Sequence, residues 1–389
     1  MQVLKFPSKK LNKKKIIIFI LICFILFLLI IASIVYSINS SFREFIDIYI
    51  FRKKIKSDAL FTIEATSNED QYYYAYDKYI AILNKKNLYL YNSYGKIAEE
   101  NNINISSPIF SNNNKFLAIA ENGGRNIFLI SDTKIVWQET VDGSISKINV
   151  NRNGYVSVIV SGTNYKSIII CFDAKGKELF KTYLSSNIAI DTDISNDNKY
   201  LSIAEINYSG TIINSMIKNI SIEKAKTDPT NSVIYNYNFE ENVLITNITY
   251  QDKSNLICMT NNGIYSLDIS NSSDKKILEY NNFEFVDINL KNNFLYTTNQ
   301  NFAFSNTTYV NIFNTNNYSI NTYQFTGNIR SVYTNSEKIA INTGSEVHFI
   351  GLNGWLIKKY ESYNEINNII LGDEIAGIIY KNRIEIIEI

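Results

Sequence analysis

The sequence has 389 residues, 46% hydrophobic and 13% aromatic, with 38 Lys+Arg against 37 Asp+Glu. The first 58 residues hold 11 basic and 3 acidic groups, so the remainder carries 27 basic and 34 acidic ones; an acidic body argues against nucleic acid as a partner. One histidine and three cysteines leave no material for a histidine-rich metal centre or a disulfide framework.

Residues 1–15 form a basic tail with Lys5, Lys9, Lys10, Lys13, Lys14 and Lys15. Ile16 to Tyr36 is uncharged, and at about 1.5 Å per residue it reaches the roughly 30 Å of a hydrocarbon core. The span is read as 16–38. It exceeds a signal-peptide core and no clean small-residue cleavage site follows, so it reads as a signal anchor held in the cytoplasmic membrane through Ile16–Ile38, with a cleaved signal peptide as the alternative. The preceding lysines place the N-terminus in the cytoplasm and the rest of the chain outside. The cluster Arg52, Lys53, Lys54 and Lys56 lies on the outer side and weakens that asymmetry. Residues 39–58 follow. Phe42, Phe45, Ile46, Tyr49 and Ile50 recur at helical spacing, with Arg43, Glu44 and Asp47 on the other side, which predicts an amphipathic helix. It could serve as a stalk, lie on lipid, or pack under the following domain.

Residues 59–389 repeat themselves. Lys115-Phe-Leu-Ala-Ile-Ala120, Lys199-Tyr-Leu-Ser-Ile-Ala204 and Lys338-Ile-Ala-Ile341 are copies of one strand, with variants beginning at Lys78, Gly154, Asn255, Asn293 and Glu374. Eight units of four short strands at roughly 40-residue spacing predict an all-β, eight-bladed β-propeller. In the second unit the strands are expected near Ile103–Phe110, Lys115–Ala120, Asn126–Ile130 and Ile135–Val141. The abundance of Tyr (28) and Phe (22) and the scarcity of Pro (3) suit strands. The last unit holds only Ile366–Leu371, Glu374–Tyr380 and Arg383–Glu388. Leu60-Phe-Thr-Ile-Glu-Ala65 is therefore expected to fill its outer place and close the ring, an open ring leaving bare edges; the alternative is a linker.

Chemistry is sparse. His348 lies in Glu346-Val-His-Phe-Ile350, where a tolerated strand residue is the expectation, and no catalytic residue is assigned. Asp191 and Asp193, two apart on a predicted innermost strand, point to one face and line the channel. They could hold a cation through oxygen, though solvating the channel mouth is the simpler expectation, and no metal site is assigned. Cys171 and Cys258 are expected as core thiols. Gly123-Gly124 and Asp142-Gly143 read as hairpin turns. Two connections are long: Asn207–Ser215, and Asn299–Thr308. Tyr208, Phe302 and Phe304 are aromatics in these polar segments and are candidate binding residues.

The turn Cys171-Phe-Asp-Ala-Lys-Gly-Lys-Glu-Leu-Phe180 has variants at Ile130–Trp137, Tyr91–Ile97 and Leu352–Ile357. This resembles the repeat of quinoprotein-like propellers, which are often eight-bladed. The quinone-dependent enzymes of that family use tryptophan packing throughout the ring, a stacking site and a calcium constellation. Here only Trp137 and Trp355 are tryptophan, so the resemblance implies the fold and no cofactor. The layout as a whole is similar to uncharacterised membrane-anchored propellers of low-GC Gram-positive bacteria, and the excess of Asn, Ile, Lys and Tyr suits an AT-rich genome. The expected function is a non-enzymatic, extracytoplasmic scaffold contacting an envelope protein or wall polymer. The alternative is a ligand-sensing or degenerate enzymatic propeller with a small-molecule or cation site in its channel.

Overall fold

The computed structural model describes residues 13–51, 53, 56, 58–64, 71–210, 212–280, 283–302 and 305–389. Two compact units divide the chain, 1–55 and 56–389.

In the first unit one helix spans Lys13–Ile38. Within it Ile17–Ile38 is long and apolar enough to cross a membrane. Asn39 breaks the helix by adopting an extended conformation (φ −103°, ψ 112°), and its side chain accepts the Phe42 N–H at 2.9 Å to start a second helix, Ser40–Phe45. A π-helical turn, Ile46–Ile50, follows. Arg43 and Asp47, expected on the polar side of an amphipathic helix, are buried, whereas Phe45, Ile48, Ile50 and Phe51 are exposed.

The second unit is an eight-bladed propeller of eight four-stranded antiparallel sheets. Blades one to seven are each built from four consecutive strands, over 72–102, 108–140, 144–184, 188–238, 245–279, 286–326 and 331–361. Blade eight joins Asn368–Leu371, Ile375–Ile379 and Arg383–Glu388 to the N-terminal strand Ala59–Glu64, which pairs with Arg383–Glu388. The ring is thus closed by the two ends of the domain.

No single core exists. Apolar residues of neighbouring blades form eight clusters, one at each junction. This is why the second strands are nearly uniformly apolar: both of their faces are covered, as in Leu117–Ala120. Cys171 and Cys258 are buried free thiols in different clusters, and burial pushes the Cys171 thiol up to about 12.

The turn glycines have a packing role. Gly176 has φ +83°, and a Cβ there would lie 2.8 Å from Trp137 on the outer strand of the preceding blade. Gly95 has φ +73°, and a Cβ there would lie 2.8 Å from Phe61. Phe61 of the N-terminal strand therefore takes the place in blade eight that Trp137 takes in blade two.

Three local expectations are corrected. The innermost strand of blade two is Pro108–Asn113, and not 103–110, because Ile103 and Ile105 are buried in the inter-blade layer in the connection that precedes it. Asp142-Gly143 links blade two to blade three and is no hairpin turn. Asn299–Phe302 is no loop: the strands Asn293–Phe302 and Ser305–Asn314 stay paired to Phe302↔Ser305, favoured by the β-branched Thr298, Thr307 and Thr308.

Candidate functional site

A cavity of about 1290 Å³ occupies the centre of the propeller. Its wall is made by the innermost strands and its rim by the turns that follow them. Polar residues recur two apart along these strands, as in Lys147 and Asn149, Asp191 and Asp193, Asn247, Thr249 and Gln251, and Asp287 and Asn289. Period-two placement turns each set toward the channel.

Asp191 and Asp193 both line this cavity. Asp191 is 2% exposed. Its Oδ1 accepts from Asn149 Nδ2 at 2.9 Å and from the Thr192 N–H at 2.9 Å, and it pairs with Lys147 Nζ at 2.8 Å. Its Oδ2 accepts from the Ile248 N–H of blade five at 3.0 Å. Asp193 accepts from the Ile194 N–H at 2.8 Å and the Tyr250 N–H at 2.7 Å. The two carboxylates therefore tie three blades together, each oxygen already meeting at least one donor.

Other junctions repeat the device. Tyr74 OH donates to Asn112 Oδ1 at 2.9 Å between blades one and two, and Val150 N–H donates to Ser111 Oγ at 3.1 Å between two and three. Gln251 Nε2 donates to Ile288 O at 3.3 Å between five and six, and Asn335 Nδ2 to Asp373 Oδ1 at 2.9 Å between seven and eight. Asp373 N–H donates to Asp77 O at 2.9 Å across the closing junction. Lys147, Asn149 and Gln251 were not singled out in the sequence. Their i, i+2 polar spacing just before each repeated strand is the signal that could have found them.

Burial pushes Asp193 up to about 7 despite its N–H partners. Burial also raises Asp287, and burial with the nearby Asp373 raises Asp77. An acid whose native pKa lies above its unfolded value holds a proton that the unfolded chain has released. Its contribution to stability is complete below about pH 4 and declines as the pH rises toward 7. We predict that Asp193→Asn, which keeps one oxygen for the Tyr250 N–H, reduces the pH dependence of unfolding between about pH 4 and 7 by up to about 1.4 kcal/mol per pH unit. Urea denaturation across that range measures it; an unchanged slope refutes the assignment.

His348 is buried in the third strand of blade seven, Glu346–Gly351. Its Nδ1 lies 3.0 Å from Tyr323 OH and its Nε2 3.0 Å from Glu346 Oε2, which also pairs with Lys359 at 3.0 Å. This network fastens blade six to blade seven, away from the cavity.

Tyr208 is not among the residues that line the channel. Tyr208 follows the strand Tyr200–Asn207 and is 52% exposed. Lys166 Nζ, from blade three, sits 4.5 Å from the centre of its ring and donates to Ser186 O at 2.9 Å and Ser209 Oγ at 3.2 Å. Nearby on blade three, the exposed Tyr165 and Tyr183 have ring centres 4.7 Å apart. The structure thus sets Lys166 against Tyr208 and Tyr165, the chain neighbour of Lys166, against Tyr183, contacts that the sequence did not show. Phe302 ends the long hairpin strand of blade six, and Phe304 lies outside the described residues.

A family model described as a family of unknown function, DUF5711, matches residues 52–389. No curated protein sequence matches the chain. Among solved structures the chain is similar to BamB from Moraxella catarrhalis (10% identity, 86% of this chain and 100% of that one, TM-score 0.51). It is also similar to Sqt1 from Chaetomium thermophilum (10% identity, 86% and 98%, TM-score 0.52). These likenesses establish the propeller fold alone.

Proposed function

The chain belongs to the DUF5711 family, and we propose from its architecture that it is a non-enzymatic interaction scaffold. In this reading Ile17–Ile38 anchors it in the cytoplasmic membrane, and the lysines before the span keep the N-terminus inside and the propeller outside. The partner is an envelope protein or wall polymer. The observation that carries the proposal is the exposed aromatic surface of blades three and four, Tyr208 under Lys166 and the pair Tyr165 and Tyr183. Large, stiff aromatic surface that contributes little to the core is what anchors interfaces.

Replacing Tyr165, Tyr183 and Tyr208 together with Ser should shift the unfolding free energy by about 0.5 kcal/mol or less per site. It should weaken partner binding by about 2 kcal/mol or more per anchor. Crosslinking in intact cells followed by recovery of the tagged chain reads this out. Partners retained by the folded triple variant would overturn the assignment of this surface.

One observation favours a second reading, a small-molecule site in the channel. Gln251 lines the cavity, is 8% exposed, and its Oε1 has no hydrogen-bond partner among the described residues. A ligand donor there would satisfy it, as would a water.

A further inference from the structure

The segment that follows the membrane span is folded inside out. Arg43 and Asp47 are each 5% exposed, while Phe45 (52%), Ile48 (38%), Ile50 (60%) and Phe51 (60%) are open. In water this arrangement is unfavourable, since four large apolar side chains stay hydrated while two charges are desolvated.

The buried charges are fully engaged. Arg43 Nε donates to Tyr36 O at 2.9 Å and its second guanidinium nitrogen to Ser37 O at 2.5 Å, which caps the carbonyls at the end of the long helix. Tyr36 OH donates to Asp47 Oδ1 at 2.8 Å, and Lys53 Nζ pairs with the same oxygen at 2.9 Å. Burial lowers Arg43, whereas the bond to Asp47 raises Lys53. A low-dielectric medium demands this of a buried charge, and both Arg43 and Asp47 meet it.

Depth follows from Tyr36. It lies in the last turn of the span, and the Phe51 ring meets it edge-on with centres 6.3 Å apart. Because residues 36 and 51 touch, the chain has turned back at Asn39, and residues 42–51 lie level with the end of the span. Tyrosine at that level is the ordinary marker of the headgroup boundary.

We propose that residues 42–51 form an interfacial lipid-binding collar, with Phe45, Ile48, Ile50 and Phe51 inserted among the acyl chains around the C-terminal end of the span. The collar rests on Ile17–Ile38 crossing the membrane, as proposed above. The occupant is lipid because the surface continues the lipid-facing surface of the span and the two charges the segment buries, Arg43 and Asp47, are paired internally.

The test uses the full chain with Cys23→Ala, reconstituted in phosphatidylcholine–phosphatidylglycerol vesicles. Cys171 and Cys258 are buried. Nitroxides are attached singly at Phe45→Cys, Ile48→Cys and Phe51→Cys, with Ile30→Cys as a reference in the span and Tyr94→Cys as an exposed reference on the propeller. The ratio of collision rates with oxygen and with a water-soluble nickel chelate reports lipid exposure. The collar requires ratios several-fold above that of Tyr94→Cys and approaching that of Ile30→Cys. Ratios equal to that of Tyr94→Cys, with Ile30→Cys lipid-exposed, overturn the collar and leave the span intact. Low rates with both reagents mean that protein covers the segment, which also overturns it. A water-accessible Ile30→Cys removes the span itself and the collar with it.

Discussion

A chain that begins at Tyr72 should unfold roughly 3–6 kcal/mol more easily than one that begins at Asp58. The difference between them includes the strand Ala59–Glu64, which makes the outer edge of blade eight. Phe61 and Ile63 pack on the cluster that joins blade eight to blade one, alongside the fully buried Ile384 and Ile386. Full burial of one such side chain is worth about 1.5–3 kcal/mol; Phe61 and Ile63 are partly buried, and their loss also bares Ile384 and Ile386. Ladder hydrogen bonds to Arg383–Glu388 are lost as well, leaving that strand as an open edge prone to pairing with a second copy. Side-chain direction supplies the control. Phe61→Ser should reproduce a large part of the loss, because its ring lies against Gly95, whereas Leu60→Ser on the exposed side should change little. Equal thermal transitions for the two chains, or equal effects at Phe61 and Leu60, would show that the segment is a linker.

The seam was legible because it depends on counting. Eight apolar second strands stand out at near-regular spacing, and the last unit visibly lacks a fourth strand. Innermost strands were harder to place. Their channel side is polar, so Pro108–Asn113 looks weak in sequence while Ile103 and Ile105, buried in a connection, look strand-like. The pairing of Asp191 and Asp193 on one face follows from their spacing alone. Their partners do not, since the N–H groups of Ile248 and Tyr250 lie 57 residues away and a backbone donor carries no residue-type signature. The fate of Arg43 and Asp47 was hidden for another reason. Helical periodicity says that apolar and polar residues part, but which side turns inward depends on the surrounding medium, which the pattern does not record. Tyr208 was found through its type and setting. Tyr165 and Tyr183 were not, because Tyr165, in the connection before Ser167–Phe172, meets Tyr183 only when that strand pairs with Glu178–Leu184.

Asp191→Ala should destabilise the propeller by about 3–5 kcal/mol, because it strands several donors at about 1–3 kcal/mol for each one that stays buried. The size of the effect comes from what is stranded. Ile248 N–H, Asn149 and Lys147 belong to two neighbouring blades and would lose a common acceptor. Lys147 is one-third exposed and can turn toward water, so Lys147→Met should cost much less, and the coupling between the two positions in a double-mutant cycle should be a minor part of the Asp191 effect. Backbone donors cannot turn away, and the buried Ile248 N–H therefore carries most of the penalty. The same geometry separates a staple from a cation site. Calcium takes 6–8 oxygen ligands, whereas the oxygens of Asp191 and Asp193 are already met by N–H donors, and among the described residues no group of three His, Cys, Asp or Glu side chains is placed to hold a metal. Asp191→Ala should thus lose the same stability in chelator as in calcium, and wild-type melting should not respond to either. A wild-type transition raised by calcium and a variant transition indifferent to it would convert the staple into a cation site.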